Sequence, residues 1–82
     1  MWYVYIIKSE GKKWYYVGST NRLAERLQEH NKGLVISTKH YLPFNFIFTK
    51  EFNLEKNARD YERLLKDKRI EKERIIREFE RK

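Results

Sequence analysis

The sequence predicts an α+β domain in which a three-stranded, mainly antiparallel sheet is flanked by helices. The prediction rests on an apolar and aromatic run near the N-terminus, two further aromatic-rich segments, and three stretches whose apolar residues recur at helical spacing. In chain order these elements read β-β-α-β-α-α, which implies helices packed on a small sheet. Because the chain has 82 residues, we expect a single domain over residues 1–82 with a small core.

Composition narrows the class of partner. The chain has 19 basic and 12 acidic residues, a net charge of +7. This balance favours an anionic partner, nucleic acid first, although charge alone fits equally well a basic protein that binds nothing in particular. No apolar run approaches the ~20 residues that cross a bilayer, and the chain starts directly in a strand rather than a signal peptide. We therefore expect a cytoplasmic protein without membrane contact.

The sequence also excludes several kinds of site. There is no cysteine, so there is no disulfide framework, and two histidines alone do not make a convincing zinc site. Three well-separated glycines form no Gly-rich phosphate loop, and the Gly-x-Ser-x-Gly turn of a nucleophilic serine is absent. Nearby acids on the predicted helices point to different faces or to water. What remains possible is a site built from tyrosine, arginine and one carboxylate.

The first two strands are predicted to form a hairpin. Residues 2–7 are continuously apolar and aromatic, which is typical of a strand covered on both faces. A polar turn follows, and residues 14–17 then pair antiparallel with the first strand, which would bring Tyr5 and Tyr16 near each other. Gly18 is predicted to break the second strand, by turning the backbone sharply or by lying close to a ligand.

An amphipathic helix is predicted from Asn21 to about residue 31. Thr20 or Asn21 is expected to cap its N-terminus, and Gly33 to end it in the left-handed conformation. Leu23 and Leu27 form its core stripe.

Two side chains of this helix are candidates for a site. Arg26 falls on the flank of the core stripe, close to the strand end that carries Tyr16, although an arginine at such a position more often forms a salt bridge or snorkels to solvent. His30 lies about 40° from the stripe axis, where a half-buried structural histidine is as reasonable as a functional one.

The segment between this helix and the third strand carries basic residues without acidic ones. No acid occurs between Glu29 and Glu51, and the loop over residues 34–42 contains hydroxyl groups and a lysine, which suit phosphate contacts. An ordinary connector is the alternative. The predicted nucleic-acid contacts are Ser37, Thr38, Lys39 and Arg22.

A third strand is predicted over residues 44–50, with its aromatic side chains on one face. These are Phe44, Phe46 and Phe48. A second helix follows, capped by Asn53, and its core stripe consists of Leu54, Ala58, Tyr61 and Leu65. A break near residues 67–69 then separates it from a last helix with the apolar stripe Ile75, Ile76 and Phe79. Glu62 lies on the flank of the second helix, where pairing with Lys66 at i+4 is the simple structural explanation.

Several short motifs follow one another at specific spacing along the chain. They are Tyr3-Val4-Tyr5, Tyr16-Val17-Gly18, Arg26, His30 and Glu62. In this order they resemble the GIY-YIG endonuclease superfamily over residues 2 to about 66, and Ser37-Thr38-Lys39 followed by Pro43-Phe44 is similar to its small, single-domain bacterial members. The resemblance implies a three-stranded antiparallel sheet flanked by helices and metal-dependent hydrolysis of phosphodiester bonds in DNA.

The resemblance also implies a role for each motif residue. Glu62 would hold one divalent ion, Mg²⁺ or Mn²⁺, with no small-molecule cofactor. Tyr5 or Tyr16 would help to deprotonate the attacking water, and the choice between them stays open. Arg26 would stabilise charge on the phosphate. His30 would relay a proton or touch phosphate.

Three departures from the family pattern concern the motifs themselves. Tyr3 stands in place of the first glycine, Val4 in place of the isoleucine, and Ser19 follows Gly18 where some relatives have a lysine. The asparagine that larger relatives place after the carboxylate has no obvious counterpart. The expected activity is a metal-dependent DNA endonuclease of repair, recombination or nucleic-acid turnover.

Two alternatives remain open from the sequence. The fold could serve as a basic nucleic-acid-binding module without catalysis, which predicts salt-sensitive binding without turnover. The charged C-terminal helix could instead dock onto a protein partner, which the sequence does not identify.

Overall fold

The computed structural model describes residues 1–81 and has six elements in the predicted order. They are β1 (Trp2–Ser9), β2 (Tyr15–Thr20), α1 (Leu23–Asn31), β3 (Phe44–Phe52), α2 (Glu55–Asp67) and α3 (Arg69–Glu80). Within these residues the fold is a three-stranded antiparallel sheet with three helices, which confirms the predicted fold class. Lys68 separates α2 from α3 at the predicted break. No helix among the described residues is long and apolar enough to cross a membrane.

The central position of β1 explains its continuous apolar sequence. The strand order is β2-β1-β3, so β1 is paired on both edges and covered on both faces. Val4 and Ile6 point to one face and pack against α2 and α3, and we call this the two-helix face. Tyr5 and Ile7 point to the other face and pack near α1, and we call this the α1 face.

A bulge in β3 sends its phenylalanines to both faces. Ile6 pairs with Phe48 and the next residue, Ile7, pairs with Phe46, so the register shifts between them. The extra residue reverses the alternation of β3. Phe44 and Phe46 therefore pack on the α1 face and Phe48 on the two-helix face. The prediction that all three share one face was wrong for Phe48.

Neither α1 nor α2 begins at a capping side chain. The N-cap positions are Arg22 and Leu54, and no described side chain caps either helix by a hydrogen bond. The predicted caps at Thr20 or Asn21 and at Asn53 were therefore wrong. The Thr20 hydroxyl does accept a hydrogen bond of 3.0 Å from the Arg22 N–H, just before α1 begins.

The end of α1 follows the prediction closely. Gly33 has a φ of +76°, which confirms it as the left-handed terminator. Its N–H donates to the His30 carbonyl at 3.1 Å, and the Leu34 N–H donates to the Glu29 carbonyl at 3.0 Å. These two bonds form a Schellman motif, which satisfies the last carbonyls of the helix.

The two-helix face forms an apolar core. Ala58 and Leu65 of α2 and Ile75 of α3 are buried in it, as the apolar spacing predicted. Leu54 and Phe79 are exposed instead. Leu54 precedes the first turn of α2 and Phe79 lies in the last turn of α3, so both lie at the ends of the helices that cover the sheet.

Candidate active site

Gly18 provides the space in which the Tyr5 side chain lies. It does not end β2, which continues to Thr20, and it pairs directly with Tyr5 across the hairpin. A Cβ atom at position 18 would lie 2.6 Å from the Tyr5 Cζ atom and closer still to its hydroxyl oxygen. The predicted strand break was therefore wrong: glycine is needed here because the phenol of the neighbouring strand lies against its Cα atom.

The Tyr5 hydroxyl belongs to a buried hydrogen-bond chain. It lies 2.9 Å from His30 Nε2, and His30 Nδ1 lies 2.8 Å from the Thr38 hydroxyl oxygen. All three side chains are buried. Thr38 donates its own proton weakly to the Val35 carbonyl, at 3.4 Å, so it accepts from Nδ1–H and leaves Nε2 to accept from Tyr5.

Burial fixes the protonation of this pair. It raises the pKa of Tyr5 to about 12, against the opposing effect of the nearby Arg26 guanidinium. Burial also lowers the pKa of His30 to about 4, and the positive charge of Arg26 acts in the same direction. Both groups are therefore neutral near pH 7, with the proton on the tyrosine oxygen.

Arg26 lies at the flank of α1, as predicted, between an acid and the buried phenol. Its Nη1 donates to Glu29 Oε1 at 2.8 Å, and Glu29 also lies 3.6 Å from the guanidinium of Arg22. Hydrogen bonding to Glu29, and then the proximity of Tyr5, raise the pKa of Arg26. The guanidinium is partly exposed, so it can present further donors to a phosphate.

Tyr16 lies beside Tyr5 on the α1 face. Tyr5 pairs with Gly18 and Ile7 with Tyr16, so the two tyrosines are diagonal neighbours, as the hairpin predicted. Their ring centroids lie 5.8 Å and 5.2 Å from that of His30. Unlike Tyr5, Tyr16 is only half-buried, so solvent reaches it.

Glu62 reaches the site from α2. Its Oε1 accepts a hydrogen bond of 2.5 Å from the Ser19 hydroxyl, and its Oε2 lies 2.8 Å from Lys66 Nζ. The side chain is 17% exposed. The sequence predicted the i+4 pair with Lys66, but it gave no sign of the Ser19 contact. The serine after Gly18 was visible only as a departure from the family pattern.

The five predicted catalytic side chains gather around one edge of the sheet. β2 is an edge strand, with Tyr16 and Gly18 on the α1 face and Ser19 on the two-helix face. Burial is the main cause of the raised pKa of Tyr5, and the phenol is close enough to Glu62 for the carboxylate charge to add to it. Tyrosines from one face and a carboxylate from the other therefore meet at this edge, beside Arg26 and His30.

The predicted nucleic-acid contacts differ in accessibility. Ser37 and Lys39 are exposed on the loop after α1, and Arg22 is exposed at the start of that helix. Thr38 is fully buried and bonded to His30, so a direct phosphate contact through its hydroxyl does not fit the structure.

The candidate ligand for a hard divalent cation is the Glu62 carboxylate. Within residues 1–81, no three His, Cys, Asp or Glu side chains come together in a group that could hold a metal. Glu62 instead presents a carboxylate, oriented by Ser19, at a groove of about 260 Å³. The other groove residues are Arg59, Arg63, Lys66 and Asp67. Mg²⁺ suits such a site because it keeps several waters and is commonly held by one or two carboxylates together with substrate phosphate.

Comparison with known proteins agrees with this arrangement. The family model that describes the GIY-YIG catalytic domain matches residues 1–74 of the 82. Searches of curated proteins and of solved structures gave no match. The family's catalytic domain is a phosphodiesterase nuclease domain, and its members typically use a divalent metal on a nucleic-acid substrate. With nine-tenths of its length matched and the motif side chains gathered at one edge of the sheet, the chain belongs to the GIY-YIG nuclease family.

Proposed function

We propose that residues 1–82 form a single-domain, Mg²⁺- or Mn²⁺-dependent DNA endonuclease that acts in repair, recombination or nucleic-acid turnover. Family membership supplies the nuclease activity. The observation that supports the rest is the meeting of Tyr16, Arg26 and Glu62 at the β2 edge, around the Tyr5 phenol that fills the space beside Gly18. The net charge of +7 suits a polyanionic substrate.

Tyr16 is the better candidate for the group that takes a proton from the attacking water. A general base must be within reach of the water that it activates. Tyr16 is half-exposed, whereas Tyr5 is 1% exposed, has its pKa raised to about 12 by burial, and directs its proton at His30. Tyr5, His30 and Thr38 then act as a rigid support for the site.

The remaining side chains fit the charges of the reaction. Arg26 lies at the mouth of the site, where its planar guanidinium can stabilise negative charge that develops on the phosphorus oxygens. Glu62 would hold the divalent ion, and Ser19 would keep its carboxylate oriented. With an ion held there by Glu62, the scissile phosphate would be polarised and the charge on the leaving oxygen would be stabilised. Lys39, Ser37 and Arg22 are available for contacts to flanking phosphates.

Cleavage of supercoiled plasmid and of branched or nicked DNA, with Mg²⁺, Mn²⁺ or EDTA, tests this proposal. Glu62→Gln removes the metal ligand, and Glu55→Gln removes an equal charge from an exposed position on the same helix. We expect metal-dependent cleavage by the wild type and by Glu55→Gln, and none by Glu62→Gln. Salt-sensitive DNA binding by all three proteins without cleavage under any metal would contradict the proposal and favour the non-catalytic binding module.

A further inference from the structure

Lys66 places a positive charge inside the candidate active site. Its Nζ lies 2.8 Å from Glu62 Oε2 and 5.7 Å from the centroid of the Tyr16 ring. The ammonium is thus close to the carboxylate that we assign to the metal. It is also close to the phenol that we assign to the attacking water.

A second pair on the same helix shows how this contact differs from an ordinary surface ion pair. Lys56 and Asp60 have the same i,i+4 spacing, lie 3.2 Å apart, and have side chains that are 83% and 53% exposed. In the Lys66–Glu62 pair these fractions are 48% and 17%. Screening by water weakens an exposed pair, so the less exposed pair is the stronger of the two.

The two contacts of Glu62 have different consequences for a metal ion. The Ser19 hydroxyl donates to Oε1 and is neutral, so it can remain in place while the carboxylate binds a cation. The ammonium at Oε2 is itself a cation, and a divalent ion at the same carboxylate would repel it at short range.

We propose that Lys66 is a resident cation of the candidate metal site, which neutralises Glu62 in the free protein and must leave before a divalent ion can bind there. The proposal rests on the assignment of Glu62 as the metal ligand. Without DNA the ammonium competes with the ion and weakens its binding.

The structure offers the displaced ammonium a second position. Lys66 also lines a neighbouring groove of about 360 Å³. The other cations of that groove are Lys13, Arg69 and Lys72, with Glu73 as its acid. A DNA phosphate in this groove would attract the Lys66 ammonium away from Glu62 and so favour metal binding. By reciprocity, the metal would favour DNA binding through the same lysine.

Binding of Mn²⁺ in the absence of DNA, measured from the electron paramagnetic resonance signal of the free ion, tests the proposal without any cleavage. Lys66→Met removes the resident cation, and Lys66→Arg retains it. Lys56→Met removes an equal charge six residues before Glu62 on α2. The rise along the helix over six residues is about 9 Å, which is beyond the Debye length of ~8 Å. The Mn²⁺ binding that remains in Glu62→Gln measures binding at sites other than the proposed ligand.

We expect Lys66→Met to bind Mn²⁺ about threefold more tightly than the wild type, or better, because the competing charge is gone. Lys56→Met should change the affinity by less than about twofold. Lys66→Arg should bind no more tightly than the wild type.

Unchanged or weaker Mn²⁺ binding by Lys66→Met, together with lost binding in Glu62→Gln, would overturn the role of Lys66 and leave the Glu62 assignment standing. Equal tightening in Lys66→Met and Lys56→Met would also overturn it, since the effect would then be net charge alone. If Glu62→Gln binds Mn²⁺ like the wild type, the metal assignment fails and the inference fails with it.

Discussion

The two faces of β1 pack against different kinds of side chain, mainly apolar on one face and partly polar on the other. On the two-helix face, Val4 and Ile6 pack with buried aliphatic side chains such as Leu65 and Ile75. On the α1 face, Tyr5 lies against His30, whose two ring nitrogens are both hydrogen-bonded. Among residues 1–81, every buried side-chain nitrogen and oxygen has a partner. Strand alternation thus places the buried Tyr5–His30 pair and the aliphatic core on opposite faces of β1. Glu62 reaches the edge of the sheet from the two-helix side, where it bonds Ser19.

The largest expected effect on stability is on the two-helix face. Leu65→Ala removes a fully buried side chain and leaves a cavity, which should lower the free energy of unfolding by about 3 kcal/mol. Leu64→Ala changes the neighbouring residue of α2, which is 42% exposed, and should cost less than about 1 kcal/mol. Urea denaturation of both variants measures the difference. Equal losses would mean that this face does not hold the main core.

The next-largest loss of stability is expected on the α1 face, where cleavage activity should fall as well. Gly18→Ala forces a methyl group against the Tyr5 ring, which should cost about 2 kcal/mol and reduce cleavage because the phenol must move. Gly11→Ala is the matched control, since no described atom beyond its own chain neighbours lies within 4 Å of a Cβ built there. Thermal denaturation and plasmid cleavage measure both quantities. Full stability in Gly18→Ala would contradict the close approach of Tyr5.

A contribution to stability of similar size, but dependent on pH, should come from His30. Its pKa is lowered by burial from 6.5 to about 4, so the unfolded chain takes up a proton below about pH 6.5 that the folded chain does not. The stabilisation is complete above that pH and is lost as the pH falls towards 4, by about 2 kcal/mol between about pH 7 and pH 5. Urea denaturation across this range should show a flatter pH dependence in His30→Gln than in the wild type.

His40→Gln is the control for that experiment, because His40 is exposed. It should keep the wild-type pH dependence. A pH dependence that is unchanged in His30→Gln would show that His30 is not held neutral by the fold.

The sequence predicted the order of the strands and helices better than the contacts between them. Apolar spacing correctly identified Leu65 and Ala58 as core, and Gly33 ended α1 as expected, because periodicity and left-handed glycines are local signals. Phe48 was placed on the wrong face because a β-bulge depends on the register with β1, which a single strand does not encode. Gly18 was misread as a break for a similar reason, since the ring that requires it belongs to another strand.

Contacts within the site show the same limit. The Lys66–Glu62 pair follows from i+4 spacing within one helix and was predictable. The Ser19–Glu62 bond spans 43 positions in sequence and the His30–Thr38 bond joins a helix to a loop, so neither has a periodic signal. The residue types of the motif could be found from the sequence, whereas the groups that orient them required the fold.

The measurement that tests the account most directly compares two adjacent tyrosines on opposite faces of β2. Tyr16→Phe alters the phenol at the candidate site, and Tyr15→Phe alters one on the two-helix side, whose hydroxyl donates to Glu80. Both variants should unfold within about 1 kcal/mol of the wild type, since each retains its ring. Plasmid nicking with Mg²⁺ should fall at least about 100-fold in Tyr16→Phe and stay near the wild-type rate in Tyr15→Phe. Wild-type nicking by Tyr16→Phe, or an equal loss in both variants, would contradict the assignment of the water-activating phenol to the α1 face.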